Sequence, residues 1–227
     1  MKMFKIIFAA MAMFVFINTV SAEVKLSENF EVYKEDISLY VDINKCNVQS
    51  RNIYEVCWDD ANSRASSGWA IIDPAYLNVG NIPKRPNFYQ DKEVKTLAVS
   101  QYKLPLHKGH TFAKDEDYDY DKDILKLTYN LINITPMYSS VNIGIWRKIE
   151  SRGRELALKV GPVLSITKVE YSEESKFGIP AGKYPSKFTR IYIVDDLVEC
   201  YESGNTAMEI GRLNAHQIEC SKELLNK

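Results

Sequence analysis

Apolar and polar residues alternate through Tyr54, Val56 and Trp58, break at the polar stretch Asp60-Ala61-Asn62-Ser63, and resume at Trp69-Ala70-Ile71-Ile72. A period of two around a polar turn predicts a β-hairpin over residues 52–72. The same period predicts strands at 163–166 and 190–194, and the apolar run at 125–134 reads as another. Between them the period changes. Ile145, Trp146, Ile149 and Leu156 recur at helical spacing, which predicts a helix over 141–158 that Gly161-Pro162 ends. Residues 78–95, with Gly80, Pro83 and Pro86, read as a surface-crossing loop. Residues 23–51 form a mixed N-terminal extension whose alternation at Glu31-Val32-Tyr33 and Leu39-Tyr40-Val41 permits short strands. Residues 207–225 read as partly helical.

The chain opens with Lys2 and Lys5, an apolar run at 6–17 too short to cross a bilayer comfortably, and the small residues of Val20-Ser21-Ala22. This is the pattern of a secretory signal peptide cleaved before Glu23. Cleavage would leave 205 of the 227 residues as a soluble exported chain, periplasmic or secreted. That length suits one domain with a true core, and 45% hydrophobic with 26% charged residues is ordinary globular composition. With Lys2 and Lys5 gone from the 29 basic residues, 27 face 30 acidic ones, a balance near −3. Bulk charge therefore does not point to a polyanionic partner, and any such site must be locally basic.

Export gives the cysteines meaning, because an oxidising compartment favours disulfides. Cys46, Cys57, Cys200 and Cys220 allow three pairings, of which proximity favours Cys46–Cys57 and Cys200–Cys220; the spacing does not suit zinc. Residues 115–123 carry six acids interleaved with Tyr118 and Tyr120, which reads as a solvated loop, with a secondary cation site as the alternative.

Chemistry concentrates between residues 107 and 154. His107-Lys108-Gly109-His110 precedes Asn133 and Pro136, then Asn142-Ile143-Gly144-Ile145-Trp146 and Ile149-Glu150 with Arg154. This order resembles the DNA/RNA non-specific endonucleases of the ββα-metal (His-Me finger) superfamily, in their secreted bacterial form. Arg85-Pro86-Asn87-Phe88 with Asp91 resembles the family's Arg-x-x-Phe loop, and Val160-Gly161-Pro162-Val163 its Thr-Gly-Pro strand. The resemblance spans roughly 52–195. Two positions depart from it: His107-Lys108 stands for the family's Asp-Arg, and Met137 for its glutamine. Lysine keeps the charge of arginine but loses its bidentate fork.

The resemblance implies an α+β fold, a central antiparallel sheet with flanking helices and a ββα-metal finger, occupying 52–227 as the endonuclease domain. It implies hydrolysis of DNA and RNA to 5′-phosphate ends with Mg²⁺, or Mn²⁺, as cofactor. It makes His110 the general base, oriented by Asn133, and Asn142 the single protein ligand of the metal. Glu150 would hold a water of the metal shell while Arg154, one helical turn on, contacts phosphate together with Arg85 and Lys108. Arg147, Lys148, Arg152, Arg154 and Lys159 make the helix locally basic, and Trp146 reads as its core anchor. Two readings compete with the enzyme. One is a secreted nucleic-acid-binding protein that kept the fold without the chemistry, and the other a disulfide-stapled interaction domain. Oligomeric state, including a homodimer, is open.

Overall fold

The computed structural model describes residues 26–80 and 84–221, so the expected signal peptide lies outside the described residues. The hairpin expected at 52–72 is present as β2 (Tyr54–Asp59) and β3 (Arg64–Ile72). They belong to a seven-stranded sheet with β1 (Asn47–Ser50), β6 (Val163–Tyr171), β7 (Pro185–Val194), β8 (Leu197–Gly204) and β9 (Gln217–Ile218). Its order is β1-β2-β3-β6-β7-β8-β9 with every neighbour antiparallel. The jump from β3 to β6 leaves the described residues between 73 and 162 as one long excursion above a single face of the sheet. That excursion carries β4 (Leu106–His110), α3 (Lys122–Thr128), β5 (Ile134–Tyr138) and α4 (Arg147–Lys159).

Side chains alternate across the sheet, and each face meets its own layer. Ile72, Phe188, Tyr192 and Val194 turn toward the excursion and pack with Trp146, Ile149 and Leu156. Trp69, Leu164, Ile166 and Ile191 turn the other way, onto Phe30, Ile37 and Tyr40 of α1 (Glu28–Glu31) and α2 (Lys34–Tyr40). Covering both faces explains why the strands read as nearly continuous apolar runs. The architecture is α+β with a large antiparallel sheet and few helices, as expected. The buried Glu55 carboxylate ties the N-terminal layer down by accepting from Ser27 N at 2.8 Å and from Trp69 Nε1 at 2.9 Å.

Three local expectations change. Where alternation permitted strands in 23–51, α1 and α2 form, because the apolar residues meet the sheet from one side of each helix. The strand expected over 125–134 is instead α3 followed by a 3₁₀ turn, Leu131–Asn133, with the sheet pairing beginning only at Ile134. Asp121 decides this by accepting from Asp123 N and Ile124 N as an N-cap. The partly helical tail is also corrected. Up to residue 221 it holds one 3₁₀ turn, Leu213–Ala215, and β9, because the Cys200–Cys220 disulfide keeps it extended along β8. Both favoured disulfides form, with Cα–Cα distances of 4.9 Å for Cys46–Cys57 and 5.4 Å for Cys200–Cys220. No helix among the described residues is long and apolar enough to cross a membrane.

Candidate active site

β4 and β5 pair antiparallel, with His107 opposite Met137 and His110 opposite Ile134, and the chain then turns into α4. The entry is a π turn, Val141–Trp146, so the helix expected over 141–158 is present with a wider first turn. Close packing requires two glycines here. A Cβ on Gly109 would lie 2.4 Å from Met137 Sδ and 3.0 Å from Asn142 Oδ1, and one on Gly153 would lie 2.6 Å from the Tyr192 ring. The buried thioether that replaces the family's glutamine thus fills the space over Gly109.

The backbone around His110 is held from several sides. Trp146 Nε1 donates to the His110 carbonyl at 3.0 Å, Thr111 N donates to Asn133 O at 2.9 Å, and the Thr111 carbonyl accepts from Thr167 Oγ1 and Arg190 Nη2 at 3.0 and 2.9 Å. The imidazole lies edge-on to Tyr129, with ring centroids 5.1 Å apart, and 5.9 Å from Phe88. Its Nε2 is buried without a hydrogen-bond partner. Burial lowers the His110 pKa below the usual histidine value; Asp115 opposes this, and Arg85 and Lys114 add to it. The ring is therefore neutral near pH 7, as a proton acceptor must be.

His110 opens on a cleft of about 810 Å³ that is also lined by Arg85, His107, Lys108 and Asn142, with Phe88, Tyr102 and Tyr129 among its walls. Among the described residues no carboxylate lines it. Lys108 Nζ stands 5.4 Å from the Phe88 ring centroid and 5.9 Å from that of Tyr102. Asn142 Nδ2 meets His107 Nδ1 at 3.4 Å, which turns the amide oxygen toward Gly109. Four of the expected residues, His110, Asn142, Arg85 and Lys108, are thus brought together.

The other three are not on this cleft. Asn133 accepts from Phe112 N and Ala113 N, both at 3.0 Å, and donates to Ala113 O and Thr128 O at 2.7 and 2.9 Å. Two lone pairs and two amide hydrogens are then all engaged, so its side chain cannot also orient the His110 ring. It shapes the turn after His110 instead. Glu150 and Arg154 lie one turn apart on α4 but take different partners. Glu150 Oε2 sits 3.1 Å from Lys114 Nζ, whereas Arg154 meets Glu116 at 3.0 Å and Asp117 at 3.5 Å. Arg154 also donates to Asn78 Oδ1 at 3.4 Å.

The carboxylate partners of Arg154 come from the acidic segment expected to be solvated, and Lys114, the partner of Glu150, immediately precedes it. It is a 3₁₀ turn, Asp115–Asp117, in which Asp115 and Asp117 are buried. Asp115 Oδ2 accepts from the Tyr129 hydroxyl at 2.8 Å and lies 3.3 Å from Arg85 Nε, which connects the segment to the wall around His110. Burial raises the Asp115 pKa, but His110, the Tyr129 hydroxyl and Arg85 outweigh it and hold the carboxyl below its ordinary value. Burial pushes Asp117 up to about 7 against the pull of Arg154, and raises Glu150 against that of Lys114. The Asp-Tyr alternation was the available signal. Tyr118 is buried, and its hydroxyl donates to Ile71 O at 2.7 Å.

Among the described residues no group of three or more His, Cys, Asp or Glu could hold a metal ion. What the site offers is the Asn142 amide oxygen, close to Gly109, and on the following residue a buried imidazole nitrogen without a hydrogen-bond partner. That donor set fits a hard cation that keeps most of its waters and completes its shell with substrate phosphate.

The model of the DNA/RNA non-specific endonuclease family matches residues 38–222. A chain in the crystal structure of the EndoG/EndoGI complex, solved for the mechanism of EndoG inhibition, is 15% identical to this one with a TM-score of 0.64. The match covers 77% of this chain and 80% of that one, and at this identity it shows a shared fold. No protein of curated function matches. With the antiparallel sheet and the ββα finger carrying Gly109-His110 and Asn142, a match over residues 38–222 places this chain in the DNA/RNA non-specific endonuclease family.

Proposed function

We propose that the protein is an exported endonuclease that hydrolyses DNA and RNA phosphodiester bonds without sequence preference, dependent on Mg²⁺ or Mn²⁺, with His110 as general base. One observation supports this above the rest: His110, whose pKa burial lowers, and Asn142 line one cleft whose charged lining is cationic. The two disulfides fit an oxidising compartment, periplasmic or outside the cell. The endonuclease domain is assigned to 52–227 behind a signal peptide at 1–22 and an extension at 23–51.

His110 accepts a proton from the attacking water, and desolvation keeps it free to do so. Arg85 and Lys108 hold the phosphate. Asp115 braces Arg85 at 3.3 Å, and the Phe88 and Tyr102 rings support the Lys108 ammonium. Asn142 would hold the metal, which supplies neutralisation of charge at the phosphoryl and leaving oxygens. Its amide is turned by His107, so the histidine that replaces the family's aspartate still provides an acceptor. Asn133 acts by fixing the turn that carries His110 out of β4. Glu150 and Arg154 support the site from behind, through Lys114 and the acidic turn.

Disulfide-bonded protein incubated with supercoiled plasmid or RNA should cut both with Mg²⁺ and neither with EDTA. His110→Ala should lower the rate by about 10²–10⁴. A gel shift without cutting at any metal concentration would favour the binding protein instead. Neither shift nor cutting would favour the interaction domain. Cleavage untouched by Asn142→Ala would remove that residue from the metal site.

A further inference from the structure

Two apolar residues of the cleft, Val99 and Leu104, have no part in proton transfer or phosphate binding. They are 41% and 83% exposed although both are large hydrophobic side chains. Leu104 in particular is nearly bare to water and contributes little to the core. The rings of Phe88 and Tyr102 line the same cleft, with the Lys108 ammonium 5.4 and 5.9 Å from their centroids. The occupant that fits must be flat and apolar on one side and anionic on the other, because the charged lining among the described residues is cationic.

We propose that this wall is a subsite for an unstacked nucleobase, so that single-stranded or locally unpaired nucleic acid is the preferred substrate. The inference rests on the nuclease reading above. In a duplex the bases are stacked inside and only phosphates and groove edges face outward. A duplex phosphate can reach Arg85 and Lys108, but its base cannot leave the stack for Leu104 without the cost of unstacking. An unpaired nucleotide places its phosphate at the two cations and its base against Leu104, Val99 and the rings. Contact of this kind uses the face that every base shares, so it adds a preference for strandedness without adding one for sequence.

The test compares kcat/KM on one oligonucleotide as a single strand, as a perfect duplex, as a duplex with a central unpaired bubble, and on an oligomer of abasic phosphodiesters. The wild-type protein should favour the single strand over the duplex by about tenfold or more and cut the bubbled duplex within the bubble. In Leu104→Ser and Val99→Ser the ratio of single-stranded to abasic cleavage should fall, by about tenfold for Leu104. Equal rates on duplex and single strand, or a ratio unmoved in both variants, would overturn the subsite while leaving the nuclease standing. If the wild type cleaves no substrate, abasic oligomer included, the nuclease reading falls and the subsite with it. Fluorescence anisotropy with a labelled single strand in EDTA reads the subsite without turnover. Leu104→Ser should weaken that binding about tenfold relative to duplex, and unchanged selectivity would again count against the proposal.

Discussion

Replacing Lys114 with methionine isolates the buried charge beneath the cleft. Lys114 and Glu150 are each 8% exposed at the side chain and 3.1 Å apart. Methionine keeps most of the apolar stem and removes the ammonium, leaving Glu150 with Arg190 as its nearest remaining positive influence. Removing one partner of a buried pair costs about 3–5 kcal/mol. The second contact, to the more exposed Glu116 at 3.4 Å, contributes little. Since Glu150 can relieve part of the cost by taking a proton, the lower end applies, about 3 kcal/mol at pH 7.5. Glu150 already has a raised pKa, and losing Lys114 raises it further. The folded variant then retains a proton that the unfolded chain has released. Its stability must fall as pH climbs from the ordinary carboxylate value through the raised folded one, so the loss is smaller at pH 5 than at pH 7.5. Urea denaturation followed by tryptophan fluorescence at the two pH values measures both losses. A loss below about 1 kcal/mol at pH 7.5, or equal losses at both, would refute a charged buried pair. The double variant Lys114→Met with Glu150→Leu should recover most of the difference, because no buried charge is then left alone.

Because burial depresses His110, the acidic limb of the kcat/KM profile should lie below the ordinary histidine value of about 6.5. Asp115→Asn should move that limb to lower pH and Arg85→Gln to higher pH; shifts of the same sign in both variants would contradict the charge arrangement. Asp91 is lowered to about 2 in spite of burial, by Arg51, by the backbone amides of Glu93 and Val94, and by Asn130. A depressed carboxyl stabilises the fold above the unfolded value, and that stability is lost as pH falls from about 4 to 2. Asp91→Asn should therefore cost about 2 kcal/mol at pH 7 and almost nothing at pH 2, by thermal unfolding at the two pH values. The disulfides close loops of 11 and 20 residues. Cys46→Ser with Cys57→Ser, and the corresponding Cys200/Cys220 variant, should each lose about 3 kcal/mol in chemical denaturation.

What the sequence by itself determined lies mostly within single elements. The hairpin at β2 and β3, the helix after Asn142 and the pairing of near cysteines all follow from contacts or periods a few residues long. Tertiary structure alone decided what faces what. α1 and α2 became helical against a sheet face assembled from distant strands, whereas the N-cap Asp121 that makes α3 of the apolar run is a local signal that the run's hydrophobicity masked. The acidic turn could become buried only because Arg85, Lys114 and Arg154 reach it, two of them from segments about 30 and 40 residues away. The same meeting took Arg154 and Glu150 out of the cleft, and Asn133 was withdrawn by filling every hydrogen bond it can make. Residue type and spacing state which chemistry a side chain can perform. Charge neutralisation and hydrogen-bond saturation between segments far apart in the chain decide whether it remains free to perform it.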